Sequence, residues 1–238
     1  MDFVILFSII ILCASILQTS TGFGFSIMAT PFLLILFEPR EAIQINLILS
    51  LVISSALIMK IRKDVDVGIL KRLVLGSLVG LPVGICLFLA VNMTWLKLGI
   101  SILILVLTLL LIMNFRVKQL PKRDRLIGGF SGAFTTSIGM PGPPLLLYFS
   151  GTNTTKETLR GTTLAFYLFI YLISLIIQVI FAGTSKEVWT SSLLGLPLVG
   201  IGLMLGQLLF KWINQDHFRV LTYILLLVAG GYLLVQQF

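Results

Sequence analysis

The stretch QTSTGFGFSIMATP at residues 18–31 decides how this chain folds. It lies in the middle of a run, Phe3–Phe37, that contains no charged residue. Such a run is too long for one straight membrane helix, which needs about 20 residues. Glycine lowers helix propensity and proline removes a backbone donor, so the two glycines and the proline predict a break in the helix. The break would lie deep in a bilayer, where irregular backbone is tolerated only if protein or a water-filled cavity covers it.

A second stretch of the same kind, SGAFTTSIGMPGPP at residues 131–144, lies in the other half of the chain and is again followed by a bulky apolar run. Glycine and proline are commoner in membrane helices than in soluble ones, so one such stretch alone would carry little meaning. Two of them in corresponding positions are typical of transporters whose helices are interrupted at the binding site. The pair therefore predicts two functional helix breaks.

The composition indicates an integral membrane protein. Of the 238 residues, 58% are hydrophobic and only 11% are charged, whereas an ordinary globular domain has about 25% charged residues. The net charge of +8 would suit a nucleic-acid partner, but the basic residues lie between apolar runs, which is the pattern of membrane topology. The N-terminus has no basic segment or small-residue cleavage site, so we interpret it as a retained membrane helix.

Charge-free segments mark the membrane spans, and the connections between them are too short for a large soluble domain. The longest polar connection, at residues 116–125, divides the chain near its midpoint. The run Pro31–Phe37 resembles Pro143–Phe149, and three further similarities occur in the same order on both sides. We therefore predict two repeats, at residues 1–115 and 126–238, joined by a basic linker at 116–125. The charge-free segments are Phe3–Phe37, Ala42–Met59, Leu73–Leu96, Leu98–Phe115, Leu126–Thr155, Gly161–Ser185, Val188–Phe210 and Val220–Phe238.

The distribution of Lys and Arg predicts how the repeats are oriented. If each broken stretch is a re-entrant hairpin that leaves the membrane on the side it entered, 14 Lys and Arg fall inside and 3 outside. If each broken stretch makes one pass, the division is 11 against 6, which fits the positive-inside rule less well. Each repeat then has a hairpin and three transmembrane helices, and the odd number of crossings inverts the second repeat. We expect an all-α integral membrane protein with two inverted repeats, a cytoplasmic linker and both termini extracytoplasmic.

The lengths of the hairpin arms bear on how deep each hairpin reaches. The arms Leu126–Thr136 and Pro143–Ser150 would be about 12–17 Å long as helices, which suits a hairpin that reaches the midplane. The leading arm of the first hairpin, Phe3–Thr21, is long enough to cross the bilayer.

Glycines at regular spacing predict close helix packing. Gly76, Gly80 and Gly84 are four residues apart, and so are Gly202 and Gly206. Small residues at this spacing line one helix face and let helices approach closely. We therefore interpret them as packing residues rather than ligands.

The sequence shows no catalytic constellation, so we expect no enzyme activity, no cofactor and no metal site. The single histidine, His217, falls in a predicted loop, and all nine acidic residues lie outside the spans or at their edges. A proton relay or a cation site in a membrane usually uses an intramembrane carboxylate. We interpret Cys13 and Cys86 as small buried hydrophobes.

The two breaks offer backbone donors. A helix that restarts after Gly24, and another after Gly142, each leave free N–H groups, and the helix dipole adds partial positive charge there. These features predict a site for a negatively charged group near the midplane, where the tips of the two inverted hairpins meet. The candidate ligands are Thr21, Gly22, Gly24, Ser26, Thr136, Ser137 and Gly139. Further polar contacts are expected from Gln18, Asn46, Thr162 and Gln178, with interhelical hydrogen bonding as the alternative.

Arg160 comes just before a predicted span near the second hairpin. We interpret it as an ordinary topology signal, with attraction of anions at the inner mouth as the alternative.

The chain resembles the TauE/SafE family of bacterial anion transporters, the sulfite exporter family. The resemblance rests on Thr21-Gly22-Phe23-Gly24 with Pro31 downstream, on Gly139-Met140-Pro141-Gly142-Pro143-Pro144, and on the two-repeat layout. Phe23 and Phe25 stand where many members carry further glycines. The resemblance implies transport of sulfite, sulfonates or related small organic anions across the bacterial cytoplasmic membrane.

Two classes of function stay open at this stage. The first is a secondary transporter or exporter of small anions, working by alternating access around a midplane site at the two helix breaks. The alternative is an anion channel or a non-transporting membrane assembly factor. The expected partners are a small anionic substrate and the lipid bilayer, with no nucleic acid; a homodimer is our working assumption.

Overall fold

The computed structural model describes residues 2–90, 120–150 and 154–212, with isolated positions between 95 and 113 and at 227, 231 and 235. Among the described residues, five of the helices named below are long and apolar enough to cross a membrane: the first, third, fourth, seventh and eighth in chain order. Large apolar side chains such as Val79, Leu194 and Met204 are exposed on their outer faces, as lipid contact requires. The helices are α1 (Asp2–Thr21), α2 (Phe25–Leu36), α3 (Pro39–Ile61), α4 (Val67–Ala90), α5 (Pro121–Ile138), α6 (Gly142–Ser150), α7 (Lys156–Ala182) and α8 (Lys186–Trp212).

The first two helices form a hairpin, which we call hairpin 1. The Phe37 ring, directly after α2, packs edge-on against Phe3 and Phe7 near the start of α1, with centroid distances of 5.4 and 5.8 Å. The chain therefore returns to the end of the bundle at which α1 began. Pro31 lies inside α2 rather than at the break.

The fifth and sixth helices form the corresponding hairpin 2. Tyr148, near the end of α6, donates its hydroxyl hydrogen to the carboxylate of Asp124 in the first turn of α5. The same hydroxyl accepts the N–H of Leu120 at 3.3 Å. Hairpin 2 thus also leaves at the end where it entered.

The two hairpins enter from opposite ends of the bundle. α3 begins next to Phe37 and runs to a short 3-10 turn at Arg62–Asp64, so we name the two ends the Phe37 end and the Asp64 end. α4 starts at the Asp64 end, and α5 runs parallel to it. The register shows this direction, because Cβ atoms on Gly76, Gly80 and Gly84 would meet Arg125, Gly129 and Ala133 in that order.

The last two described helices complete the arrangement. α7 runs antiparallel to α3: Gly161 lies against Asp64 at one end, and the Gln44 amide donates to Gly183 O at 2.9 Å at the other. α8 runs parallel to α1, with Gly202 against Ser15 and Gly206 against Thr19. The predicted third pass of each predicted repeat, at 98–115 and 220–238, lies mostly outside the described residues, so the complete inverted repeat stays a prediction.

The evenly spaced glycines are packing residues, as expected. A Cβ on Gly76 would lie 1.9 Å from Arg125 O, and one on Gly80 would lie 2.0 Å from Gly129 O. A Cβ on Gly202 would lie 2.3 Å from the Cβ of Ser15. Small residues therefore let α4 approach α5, the leading arm of hairpin 2, and let α8 approach α1, the leading arm of hairpin 1.

Two sequence-based expectations were wrong. The leading arm of hairpin 2 begins at Pro121 and ends at Ile138, not at Leu126 and Thr136. Proline at the first helical position favours this earlier start, and Arg72 Nε lies 2.5 Å from Asp124 Oδ2, which neutralises the buried carboxylate.

The expectation for the two cysteines was also wrong. Cys86 is exposed on the surface of α4 and Cys13 is half-buried, so neither is a fully buried hydrophobe.

Candidate functional site

The first helix break is a tight turn built on glycine. Gly24 is the N-cap of α2 and has a φ of +127°, a backbone conformation that residues other than glycine rarely adopt. The Thr21 hydroxyl donates to Leu17 O at 2.7 Å and accepts the N–H of Phe23 at 3.1 Å. Thr21 therefore stabilises the turn.

Arg160 lies directly against this break. A Cβ on Gly22 would lie 2.8 Å from the Cα of Arg160 and 3.1 Å from its Cγ. Arg160 is only 7% exposed, and its guanidinium carbon lies 4.2 Å from the centroid of the Phe210 ring. Its Nε and Nη2 atoms have no hydrogen-bond partner within the described part of the chain. The reading of Arg160 as a mere topology signal does not account for this buried position.

The second break is held by neutral amides. Gly139 adopts the left-handed conformation at φ +72°, and its N–H bonds to Thr135 O at 2.9 Å while that of Met140 bonds to Phe134 O at 3.2 Å. The Asn46 amide donates to Gly139 O at 2.7 Å, and the Gln178 amide donates to Thr136 O at 2.7 Å. This tip is thus tied to α3 on one side and to α7 on the other.

The helices that restart after the breaks come together inside the bundle. A Cβ on Gly142, the first residue of α6, would lie 3.1 Å from Ile27 Cδ1 in the first turn of α2 and 3.0 Å from the hydroxyl oxygen of Tyr167. The Tyr171 hydroxyl lies 3.4 Å from the Ser26 hydroxyl. We call the group Ser26, Ile27, Gly142, Tyr167 and Tyr171 the junction.

The junction combines helix N-termini with an unused donor. Gly24 makes no side-chain cap for α2, and the first N–H groups of that helix lack partners within it. α6 begins Gly142-Pro143-Pro144, and because proline has no N–H this helix contributes its dipole but fewer free N–H groups than expected from the sequence. Tyr167 is fully buried, and its hydroxyl has no hydrogen-bond partner among the residues that the structure describes. A small anion between the two helix starts would be stabilised by both dipoles and by this hydroxyl.

The expectation that the two hairpin tips meet at the midplane was wrong. Gly22 lies at the level of Arg160 on α7, whereas the Thr136 hydroxyl bonds that of Ser174 at 2.8 Å. At 1.5 Å per residue, Arg160 and Ser174 are about 21 Å apart along α7. The leading arms α1 and α5 therefore pass each other, and only the helices that restart after them, α2 and α6, meet at the junction.

The predicted site residues consequently divide into groups. Three of them make structural hydrogen bonds. Gln18 of α1 donates to Ser50 O and to the Ser54 hydroxyl of α3, both at 3.1 Å, and Thr162 of α7 accepts the N–H of Asp66. Ser137 donates to Ala133 O within α5. The others lie at one of three places. Thr21 and Gly22 adjoin Arg160; Gly24 and Ser26 adjoin the junction; Asn46, Thr136, Gly139 and Gln178 form the second tip.

One face of α7 connects these three places, and sequence reasoning missed it. Its buried polar residues are three or four positions apart, so they share one helix face. Each of them is fully buried except Arg160. The signal was present as this spacing between otherwise apolar residues. We call the face the α7 polar face; it consists of Arg160, Thr163, Tyr167, Tyr171, Ser174 and Gln178.

A cavity of about 540 Å³ opens at the Phe37 end of the bundle. Glu38, Arg40 and Glu41 line it, together with Gln44. Glu41 accepts a hydrogen bond from the Ser185 hydroxyl at 2.7 Å, which ties α3 to the start of α8. None of the predicted site residues lines this cavity.

Comparison with known proteins adds one finding. A protein-family model described as Sulfite exporter TauE/SafE matches residues 7–233, a range that contains hairpin 2, the whole α7 polar face and hairpin 1 from Phe7 onward. No curated protein and no solved structure matches the chain with significance.

Proposed function

We propose that this chain, which belongs to the sulfite exporter TauE/SafE family, moves sulfite, sulfonates or related small organic anions out across the cytoplasmic membrane. The family is one of transporters, and the chain is a multi-pass membrane protein with several apolar spanning helices. The substrate class comes from the family; the residues themselves favour an anion.

The junction carries this proposal. The first turns of α2 and α6 meet there, and the buried Tyr167 hydroxyl lacks a partner among the described residues. Helix N-termini bind anions through free N–H groups and the positive end of the dipole. Transporters built from interrupted helices place anionic groups of their substrates at such half-helix N-termini.

Alternating access is the proposed mechanism. The hairpins enter from opposite ends, so movement of hairpin 1 would open the junction to one side and movement of hairpin 2 to the other. Both hairpins are closed by contacts at their own ends, through Phe37 and through Tyr148. Each hairpin can therefore move as a packed unit against α3 and α7, as one repeat rocks against the other in secondary transporters.

We propose that the anion moves without an obligatory coupling cation. Among the described residues, the charged side chains that are buried are Asp124 and Arg160, and both lie near the Asp64 end rather than at the junction. No Asp, Glu, Lys, Arg or His belongs to the junction, so no such side chain is available to carry a coupled proton there. An inside-negative potential of ~100 mV favours outward movement of one negative charge by ~2.3 kcal/mol.

The test is flux of labelled sulfite or sulfoacetate from proteoliposomes with a set potassium–valinomycin potential and no pH or sodium gradient. We expect saturable flux whose rate follows the potential. Flux that ignores the potential but follows an imposed pH or sodium gradient would contradict the uncoupled mechanism. Non-saturating flux would indicate a channel, and no flux of any tested anion would contradict transport.

The Asp64 end is proposed to face the cytoplasm. Eleven of the Lys and Arg residues in the described ranges lie at that end, against Arg40 and Lys186 at the other, and positive charge favours the cytoplasmic side.

The exposed positions Glu38 and Lys63 give a matched pair for labelling that tests this orientation. In a background without Cys13 and Cys86, an impermeant thiol reagent should label Glu38→Cys but not Lys63→Cys in intact spheroplasts. The reverse pattern would overturn this orientation.

A further inference from the structure

We propose that Arg160 binds the transported oxyanion at a second site, beside the tip of hairpin 1 and nearer the Asp64 end than the junction. This inference rests on the proposed transport function and adds to it the residue that first receives the anion's charge. The ligand class is a small oxyanion with two oxygens on one face, such as a sulfite, a sulfonate or a carboxylate.

The unpaired atoms of Arg160 have the right arrangement for such a ligand. Nε and Nη2 form one edge of the planar guanidinium, and both are buried without a hydrogen-bond partner in the described ranges. An arginine edge of this kind donates two parallel hydrogen bonds to two oxygens of one anion. A buried cation with unused donors is costly, so a ligand that fills this edge would be bound favourably.

Arg72 is an arginine with a structural role in this bundle, and its contacts can be compared with those of Arg160. Its Nε lies 2.5 Å from the buried carboxylate of Asp124, so α4 and α5 are joined by an ion pair. Arg160 is more deeply buried, yet no carboxylate lies within 4.0 Å of its guanidinium in the described part of the chain. The contrast indicates that Arg160 is kept free of a protein partner.

The surroundings hold the side chain in place, and the negative charge of Asp64 acts on it without an ion pair within 4.0 Å in the described ranges. The Phe210 ring lies under the guanidinium at 4.2 Å, and the Lys156 ammonium lies over the same ring at 5.0 Å. An aromatic face stabilises a cation and leaves its edge donors unused. Gly22 allows the backbone of hairpin 1 to touch the Arg160 Cα, so movement of that hairpin changes the space beside the guanidinium directly.

The α7 polar face continues from Arg160 to the junction. Thr163 and Tyr167 follow at three and seven positions, are fully buried, and have hydroxyl oxygens without partners among the described residues. Arg160 and Tyr167 are about 10 Å apart along the helix. An anion released by the guanidinium would therefore meet two further hydroxyl donors on its way to the helix N-termini.

The experiment compares Arg160→Gln and Arg160→Lys with Arg62→Gln in proteoliposomes. Arg62 is an exposed arginine at the same end of the bundle, which makes it the matched control. For sulfite presented on the Asp64 side, we expect KM to rise about tenfold or more in R160Q, because a charge-assisted bidentate contact is lost. R160K should give a smaller rise, since it keeps the charge but not the two-donor edge, and R62Q should leave KM unchanged.

A KM within twofold of wild type in R160Q would overturn the inference. R160Q could fail to fold, which size-exclusion chromatography and thermal unfolding would detect. The inference is then tested with R160K and Phe210→Leu, and an unchanged KM in both variants would also overturn the inference. Loss of flux in the wild type would instead count against the transport function. In that case the thermal shift produced by sulfite still tests Arg160, because wild-type protein should show a shift that R160K reduces and R62Q retains.

Discussion

Hairpin 1 and hairpin 2 use the same backbone device in different surroundings. In each, a leading helix ends, a glycine with positive φ turns the chain, and a shorter helix restarts at the junction. The tip of hairpin 1 lies beside Arg160, a buried cation with two unused donors. The tip of hairpin 2 is bound instead by the amides of Asn46 and Gln178, whose hydrogens bond backbone carbonyls.

This difference suggests that the two tips have different tasks. Under our proposal the tip beside the unpaired cation binds the anion. The tip of hairpin 2, whose carbonyls accept amide hydrogens from Asn46 and Gln178, would act as a latch that holds this hairpin in place. An anion that leaves the junction toward the Phe37 end finds no arginine at the tip of hairpin 2 among the described contacts there. Under our proposal the asymmetry places the anion-binding arginine at the Asp64 end, whereas the membrane potential and the concentration gradient set the direction of net flux.

The largest expected effect tests what the hairpins share. Gly24→Val and Gly139→Val each place a β-branched residue at positive φ, and a Cβ at Gly139 would lie 2.8 Å from Asn46 Nδ2. Each substitution costs about 1–3 kcal/mol of backbone strain at the turn, so we expect sulfite flux to fall to background in both.

The control for these two variants is Gly183→Val. Gly183 also has positive φ, at +75°, but lies outside both hairpins, and a Cβ there would meet nothing within 4 Å. This variant should keep measurable flux. Wild-type flux in either hairpin variant would show that the turns are not needed for transport.

A smaller effect should separate the latch at hairpin 2 from ordinary helix contacts. Asn46→Leu leaves Gly139 O buried without its donor, which costs about 1–3 kcal/mol. We expect a lower unfolding temperature in detergent and roughly tenfold slower flux. Gln44→Leu removes a similar bond, from an amide to Gly183 O at 2.9 Å, outside both hairpins. It should lower stability while leaving flux near wild type, and equal flux in the two variants would argue against a latch.

The smallest effect on stability is expected at the junction between the hairpins. Tyr167→Phe removes a buried hydroxyl that has no partner among the described residues, so stability should change little. A hydrogen bond from the hydroxyl to an anion is charge-assisted and worth about 1.5–3 kcal/mol, so KM for sulfite should rise about tenfold or more. Tyr148→Phe removes a hydroxyl that bonds Asp124; it should lower stability and leave KM unchanged. An unaltered KM in Y167F would place the anion elsewhere.

The sequence supported the prediction of the breaks and the hairpins because these depend on local chemistry. Glycines in a charge-free run predict where a membrane helix stops, and Gly24 and Gly139 indeed lie at the two turns. The same reasoning failed for Arg160. A basic residue before an apolar run is typical of a membrane boundary, and nothing nearby in sequence shows that Gly22, far away in the chain, packs against it.

The sequence also left the depth of the hairpins undetermined. The charge-free segment that starts at Leu126 suggested a short arm, since Lys122, Arg123, Asp124 and Arg125 precede it. In the folded protein α5 begins at Pro121, because Arg72 and Tyr148 from other helices satisfy the Asp124 carboxylate. Only those long-range partners make a buried carboxylate acceptable inside a helix.

By itself, then, the sequence determined that this is a helical membrane protein with two interrupted segments, since hydropathy and glycine placement act over a few residues. The tertiary structure decided which polar groups meet: the α2 and α6 starts at Tyr167, the amides at the second tip, and Arg160 at the first. The physical reason is that a buried polar atom is stable, or available to a ligand, according to its neighbours in space. Those neighbours come from helices that are distant in the chain.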